Sequence, residues 1–299
     1  MSSINKWNTH IIGKPFKYHL PETINEATKL LAEHPDSMIL AGGTDLIPKM
    51  KQRLLEPEHI VNIKKIPKLT GIKETDNGIW IGSATKLNAI EKSELVKEKI
   101  PLQYLATKTI GSIQIRNMGT LGGNVCNASP AADGALGLVA QDARIHIAGV
   151  DTQRDIPVTD FFTGPGATML AEDEIVTGFT VPVMDNDTGY HFISIGRMAL
   201  DISTISIATT ITRRDDKVAK STVALGSVAP TPLRLSEVEV YLKDKTLSDE
   251  TIWEAAQMVS ENIKPITDVR ATAEYRREAA KGMAMEAIKL AYTKEEGKQ

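Results

Sequence analysis

Two stretches concentrate the residue types able to hold an anionic ligand: "LAGGTDL" at 40–46 and "GTLGGN" at 119–124. Glycines leave backbone N–H groups unshielded and let the chain approach a phosphate closely. Thr44 adds a hydroxyl donor, and Asp45 can accept hydrogen bonds from the turn itself. Thr120 and Asn124 flank the second stretch, with Arg116 just upstream. Neither matches the phosphate-binding G-x-x-x-x-G-K-[ST] loop, and Gly164-Pro165-Gly166 lacks the third glycine of a Rossmann fingerprint. Two separate loops, each gripping one phosphate, suit a pyrophosphate clamped between two subdomains, as in a dinucleotide bound in extended form. A tight strand-to-helix turn also accounts for the first stretch, and a bend at a sheet corner for the second.

"SPAAD" at 129–133 completes the second stretch. Ser129 followed by Pro130 reads as a helix start, with Ser129 as the cap. Asp133 then falls in the opening turn, either as an acid favoured by the helix dipole or as a ligand contact. Cys126 reads as a small packed residue. As the single cysteine it excludes an internal disulfide and suits a reducing cytoplasm. It also excludes an iron–sulfur cluster held by this chain alone, which takes about four thiolates. The histidines at 10, 19, 34, 59, 146 and 191 include no pair at helical spacing, which predicts no metal site. A redox centre here would have to be an organic cofactor.

The elements that must position these residues alternate in the first third. "INEATKLLA" is helical by spacing, "SMIL" is a short strand running into the glycines, "IPKMKQRLL" is a helix and "HIVNI" a strand. "GIKETDNGIWIGSAT" gives two strands around Asp-Asn-Gly, followed by a helix over 89–98. "ARIHIAGV" and "IVTGFTVP" are strand-like, and "MDNDT" at 184–188 is a boundary. Beyond it, "ISTISIATTITRRDDKVAKSTVALGSVA" reads as two long strands joined at 213–217. Two helices follow, the first capped by Ser248 and the second over 270–292. The chain has 299 residues, 41% of them apolar, and a net charge of −3. That gives no electrostatic footprint for nucleic acid. No run of about 18 apolar residues predicts a membrane span, and the polar N-terminus lacks the apolar segment of a signal peptide.

Together these stretches resemble the FAD-binding medium subunit of molybdenum hydroxylases. "LAGGTDL", "IGSATKLNAIE", "GSIQIRNMGTLGGNVCNASPAAD", "DFFTGPGATMLAEDEIV", "RMALDISTISIA", "ALGSVAPTPLR" and "RATAEYRREAA" fall in the family's order from about Phe16 to Ile288. "LDISTI" and "FFTGPG" look closest to bacterial xanthine dehydrogenase FAD subunits, with carbon monoxide dehydrogenase medium subunits beside them. The resemblance implies an α+β chain: two FAD-binding subdomains of vanillyl-alcohol-oxidase (PCMH) type, at 10–66 and 67–185. A C-terminal α+β domain at 188–292 follows, with a three-stranded antiparallel sheet and helices.

The resemblance also implies a site. Met38, Ile39, Leu40, Ala41, Gly42, Gly43, Thr44 and Asp45 would hold the FAD pyrophosphate from one side. Gly119, Thr120, Leu121, Gly122, Gly123 and Asn124 would hold it from the other. Asp133 matches an acid that hydrogen-bonds the flavin side, and Ile175 and Phe192 match positions near the two ends of the cofactor. Arg197 and Asp201 lie beside the last of these. Ile110 and Ile193 replace an aromatic residue and a lysine found in other members. The implied activity is electron transfer in the cytoplasm. Electrons would come from [2Fe-2S] clusters of a small partner subunit, fed by a large molybdopterin-binding subunit, and pass through FAD to NAD+ or another acceptor. The flavin performs that chemistry, so no general acid or base is assigned. A stand-alone flavoprotein oxidoreductase is the rival reading, with an aldehyde, nicotinate or carbon monoxide dehydrogenase subunit as a variant of the first.

Overall fold

The computed structural model describes residues 12–198 and 200–294. It opens with β1 (Lys17–His19), α1 (Ile24–Glu33), β2 (Ser37–Leu40), α2 (Leu46–Lys51) and β3 (His59–Asn62). Thr23 caps α1 by accepting a hydrogen bond from the Glu26 N–H at 3.1 Å, satisfying one of the helix's orphan donors. The strands form a parallel sheet in the order β1-β3-β2. Parallel strands require crossovers, and α1 supplies one while burying Ala27 and Leu31.

The second unit begins with the expected hairpin, β4 (Ile72–Thr75) and β5 (Gly78–Gly82). The single helix expected over 89–98 is two, α3 (Leu87–Glu91) and α4 (Glu94–Lys99). Ser93 divides them because its hydroxyl caps α4 through the Val96 N–H. Next come α5 (Pro101–Lys108), α6 (Ile113–Met118), α7 (Leu121–Cys126) and α8 (Asp133–Ala140). Ser129 is not the cap of α8. Its hydroxyl accepts from the Ala131 N–H within a local turn that Ala128, at φ 46°, initiates, and the helix starts at Asp133. The unit closes with β6 (Arg144–Gly149), β7 (Thr152–Pro157), β8 (Phe162–Gly164), β9 (Ala167–Thr168) and β10 (Ile175–Val181). Its main sheet runs β4-β5-β10-β6-β7, antiparallel throughout.

The last unit has β11 (Thr188–Ile195), β12 (Ile205–Arg214), β13 (Lys217–Gly226) and β14 (Leu233–Arg234), then α9 (Ser236–Leu242), α10 (Asp249–Glu261) and α11 (Ala273–Thr293). Asp215 and Asp216, both at positive φ, make the β12–β13 hairpin turn, whose backbone twist matches that of the strands. To the three long strands the structure adds β14, a fourth limited to two residues between Pro232 and the helix at Ser236. Both faces of this sheet are covered. Ile205, Ile207 and Ile211 pack into the cluster with α10 and α11, while Phe192, Ala208 and Ala224 join the core of the second unit. That double burial is why β12 is apolar or small nearly throughout. No helix among the described residues is long and apolar enough to cross a membrane.

Candidate functional site

The two glycine stretches touch. Gly42 lies so close to the second stretch that a Cβ built on it would sit 2.5 Å from the Met118 carbonyl oxygen and 2.7 Å from Gly119 Cα. Gly122 is equally confined, its virtual Cβ 2.6 Å from the Ser83 carbonyl oxygen. Only glycine permits such backbone-to-backbone packing. Gly43 has a separate reason, a left-handed φ of 76°. Asn127 links the two sides, donating to Asp45 Oδ1 at 3.4 Å and accepting from Lys49 Nζ at 3.0 Å.

A cavity of about 400 Å³ opens beside this junction. Of the residues expected in the site, Met38, Ile39, Ala41, Gly42, Gly43, Thr44 and Asp45 line it from the β2–α2 side. Gly119, Thr120, Gly122, Gly123 and Asn124 line it from the α7 side, and Ile175 from the start of β10. Leu40 and Leu121 point away into cores, the former beside Met50 and Ile60. Phe192 also lies outside the cavity wall, in the second unit's core. Arg197 and Asp201 pair with each other at 3.1 Å near the surface.

The expected symmetry of the two phosphate grips does not hold. Residues 119–124 are no open loop: Gly119 ends α6 and Thr120 caps α7. The donors at the head of α7 are already used. Leu121 N–H bonds Thr85 O, Gly122 N–H bonds Ser83 O, and Gly123 N–H bonds the Thr120 hydroxyl. In the first stretch the N–H groups of Gly43, Thr44 and Asp45 find no acceptor among the described residues. Three unpaired donors on a glycine-bearing turn have the chemistry to receive an anion. So the first stretch supplies donors and the second supplies a close wall.

Other wall residues were not evident from the sequence. Ser83, just after β5, contributes a buried hydroxyl with no partner, as Asn124 contributes Oδ1. Lys49, one turn into α2, is the one basic side chain lining the cavity among the described residues. The 170–174 segment forms the far edge, pinned by the Arg154 pair to Glu174 at 2.7 Å. That guanidinium holds the Glu174 carboxyl below its usual range. Arg116, a candidate donor by position, turns inward to Glu91 and to the carbonyls of Ile110 and Gly111. Cys126 lies in the wall, and burial pushes its thiol up to about 12, which leaves it inert as a nucleophile. A larger concavity, about 810 Å³, lies by Trp80 and His146 and gathers neither glycine stretch.

Asp133 sits behind the cavity. Its Oδ2 accepts hydrogen bonds from Thr109 at 2.9 Å, Ser203 at 2.6 Å and Ser194 at 3.3 Å, while Oδ1 is buried without a partner. It therefore joins α8 to the C-terminal sheet. Burial raises its carboxyl above the usual aspartate range, against the pull of the hydroxyls. Between the ordinary and the raised value the folded chain holds more protons than the unfolded one, so this residue makes stability fall as pH rises. Asp133→Asn removes that titration. The variant's melting temperature relative to wild type should therefore climb as pH rises above the usual aspartate range. A pH-independent difference in thermal melts would contradict this.

Comparison with known proteins agrees with the geometry. The family model for the FAD binding domain in molybdopterin dehydrogenase matches residues 14–184. The model for the CO dehydrogenase flavoprotein C-terminal domain matches 190–291. The chain is 37% identical to the glyceraldehyde dehydrogenase medium chain of Sulfolobus acidocaldarius, over 92% of this chain and 97% of that one. It is 32% identical to the xanthine dehydrogenase FAD-binding subunit of Escherichia coli O157:H7, over 94% and 97%. It superposes with a TM-score of 0.91, at 33% identity, on a chain of the Hydrogenophaga pseudoflava carbon monoxide dehydrogenase structure that lacks the Mo-pyranopterin moiety, covering 94% of this chain and 98% of that one. The chain thus belongs to the family of FAD-binding medium subunits of molybdenum hydroxylases, and it is an oxidoreductase subunit built on that family's two-part fold.

Proposed function

We propose that this chain holds FAD against the β2–α2 turn and serves as the electron-transfer subunit of a larger molybdenum enzyme. The observation that carries this is the row of unpaired N–H groups at Gly43, Thr44 and Asp45, opening on a cavity that both glycine stretches wall. A pyrophosphate satisfies such donors, and Lys49 adds a positive charge on the same turn. The buried, partnerless Ser83 Oγ and Asn124 Oδ1 fit a polar ligand in the same place. FAD, when bound, accepts electrons and passes them on singly or in pairs. The protein's share is to orient it and keep its pyrophosphate dry.

In this reading the chain is organised as units 10–66, 67–185 and 188–292, the first beginning at a residue outside those described. A small iron–sulfur subunit supplies electrons, a large molybdopterin subunit oxidises substrate, and NAD+ or another acceptor takes the electrons in the cytoplasm. An apolar rim supports a partner: α6 lends Ile115 to the cavity wall while leaving Ile113 and Met118 exposed. The relatives' names span an aldehyde and a purine at 37% and 32% identity, which fits a substrate bound by another polypeptide.

Purified chain should show a flavin spectrum with about one FAD per chain; a colourless protein that takes up no FAD would overturn the proposal. Gly123→Ala sharpens the test. A Cβ there meets only the Thr120 hydroxyl, at 3.0 Å, so the fold tolerates it while the cavity loses room. FAD affinity should fall roughly tenfold, about 1.4 kcal/mol, with the melting temperature of the apo chain preserved.

A further inference from the structure

The parallel sheet carries a second cluster of ligand-bearing side chains, away from the cavity. His19 ends β1, His34 caps the C-terminus of α1 and His59 opens β3. Parallel pairing sets Lys17 opposite His59 and His19 opposite Val61, so the two histidines project from one face of adjacent strands. His19 Nε2 lies 2.9 Å from His59 Nδ1. The His34 ring is centred 3.8 Å from that of His59 and 5.4 Å from that of His19. One ring nitrogen from each residue falls within 4.8 Å of the others.

We propose that His19, His34 and His59 bind a divalent transition-metal ion, of the zinc, copper or nickel type, through three imidazole nitrogens. Ligand bonds of about 2.0–2.1 Å in tetrahedral geometry put nitrogens about 3.3 Å apart. The cluster reaches that arrangement by ring rotation, with the His19–His59 contact opening by a few tenths of an ångström. An all-imidazole set selects these metals over magnesium or calcium, which want oxygen ligands. His19 and His34 are part-exposed, which gives the ion a path in and leaves its fourth position to water. Burial, then the neighbouring histidines and Lys17, holds His19 and His59 below the usual histidine range, so both offer lone pairs at neutral pH. The surrounding charges are Lys17, Glu33 and Glu58, the last paired to Lys14 at 2.9 Å. The bound ion would tie β1, β3 and the end of α1 together.

The experiment is a calorimetric titration of the chelator-treated full chain with Zn2+, repeated with Co2+ while visible absorption is recorded. One ion per chain is expected, with a tetrahedral cobalt spectrum and affinity falling as pH drops and protons compete. His34→Ala and His19→Ala spare the buried His59 and should each weaken binding at least tenfold, with FAD content unchanged to show that the fold persists. Absence of saturable binding, or binding by both variants as tight as wild type, would overturn the site.

Discussion

Gly42→Ala should strip the protein of FAD. The added methyl would meet the Met118 carbonyl oxygen at 2.5 Å and Gly119 Cα at 2.7 Å, and neither can swing aside because both are backbone. Relief requires the β2–α2 turn to separate from the α6–α7 junction, which are the two sides of the cavity. Overpacking of this kind costs about 1–3 kcal/mol in stability. The geometric loss is larger, because N–H donors displaced by even an ångström no longer reach the same ligand oxygens. FAD per chain after gel filtration should drop at least tenfold, alongside a modest loss in denaturant midpoint. Retention of full FAD would mean that the two stretches do not need their contact. Gly43→Ala provides the contrast, since its cost is the left-handed φ of 76° rather than contact with the second stretch.

Arg276→Met should cost about 3–5 kcal/mol of stability, the scale expected when a buried charge network loses one partner. The Arg276 guanidinium is buried in α11, 2% exposed. It donates to the Thr204 carbonyl at 2.7 Å, the Ser227 carbonyl at 2.8 Å and Asp268 Oδ1 at 2.8 Å. One side chain thus holds the entry to β12, the exit of β13 and the loop before α11. Methionine fills the volume but leaves the two carbonyls of Thr204 and Ser227 unanswered, while Asp268 keeps the Arg270 and Ala271 N–H groups and loses its guanidinium partner in α11. Arg276→Lys should rescue little, because a single ammonium lacks the planar fork that spans three acceptors. Urea unfolding measures the effect. Among the described residues none lining the cavity lies beyond Val176, so FAD affinity should change much less than stability. A loss of FAD affinity as large as that of Gly42→Ala would contradict this separation.

The turn at 40–45 was legible because its constraint is local. A short strand followed by "AGGTD" reads as a turn that exposes N–H groups wherever it sits, and those donors are indeed open. "DD" between two alternating runs reads as a hairpin, and β12 and β13 meet there. The helix cap at Ser129 misled because Ser-Pro serves a helix start and an ordinary turn equally well. Asp133 shows the limit of a motif read along the chain. Position in the opening turn of α8 is a sequence property, but its partners Ser194 and Ser203 lie 61 and 70 residues away.

By itself, then, the sequence determined the class of the chain, through motifs that resemble a known family in their order, and the glycine turn at 40–45, since glycine content, helix spacing and strand alternation act over a few residues. The tertiary structure alone decided which donors remain free. The head of α7 spends its N–H groups on Ser83 and Thr85, a pairing across nearly 40 residues that no local pattern encodes. It also decided that Gly42 must be glycine on account of Met118, and that histidines scattered at 19, 34 and 59 meet. The last follows from the parallel order β1-β3-β2, which sets residues far apart in the chain side by side at one strand spacing.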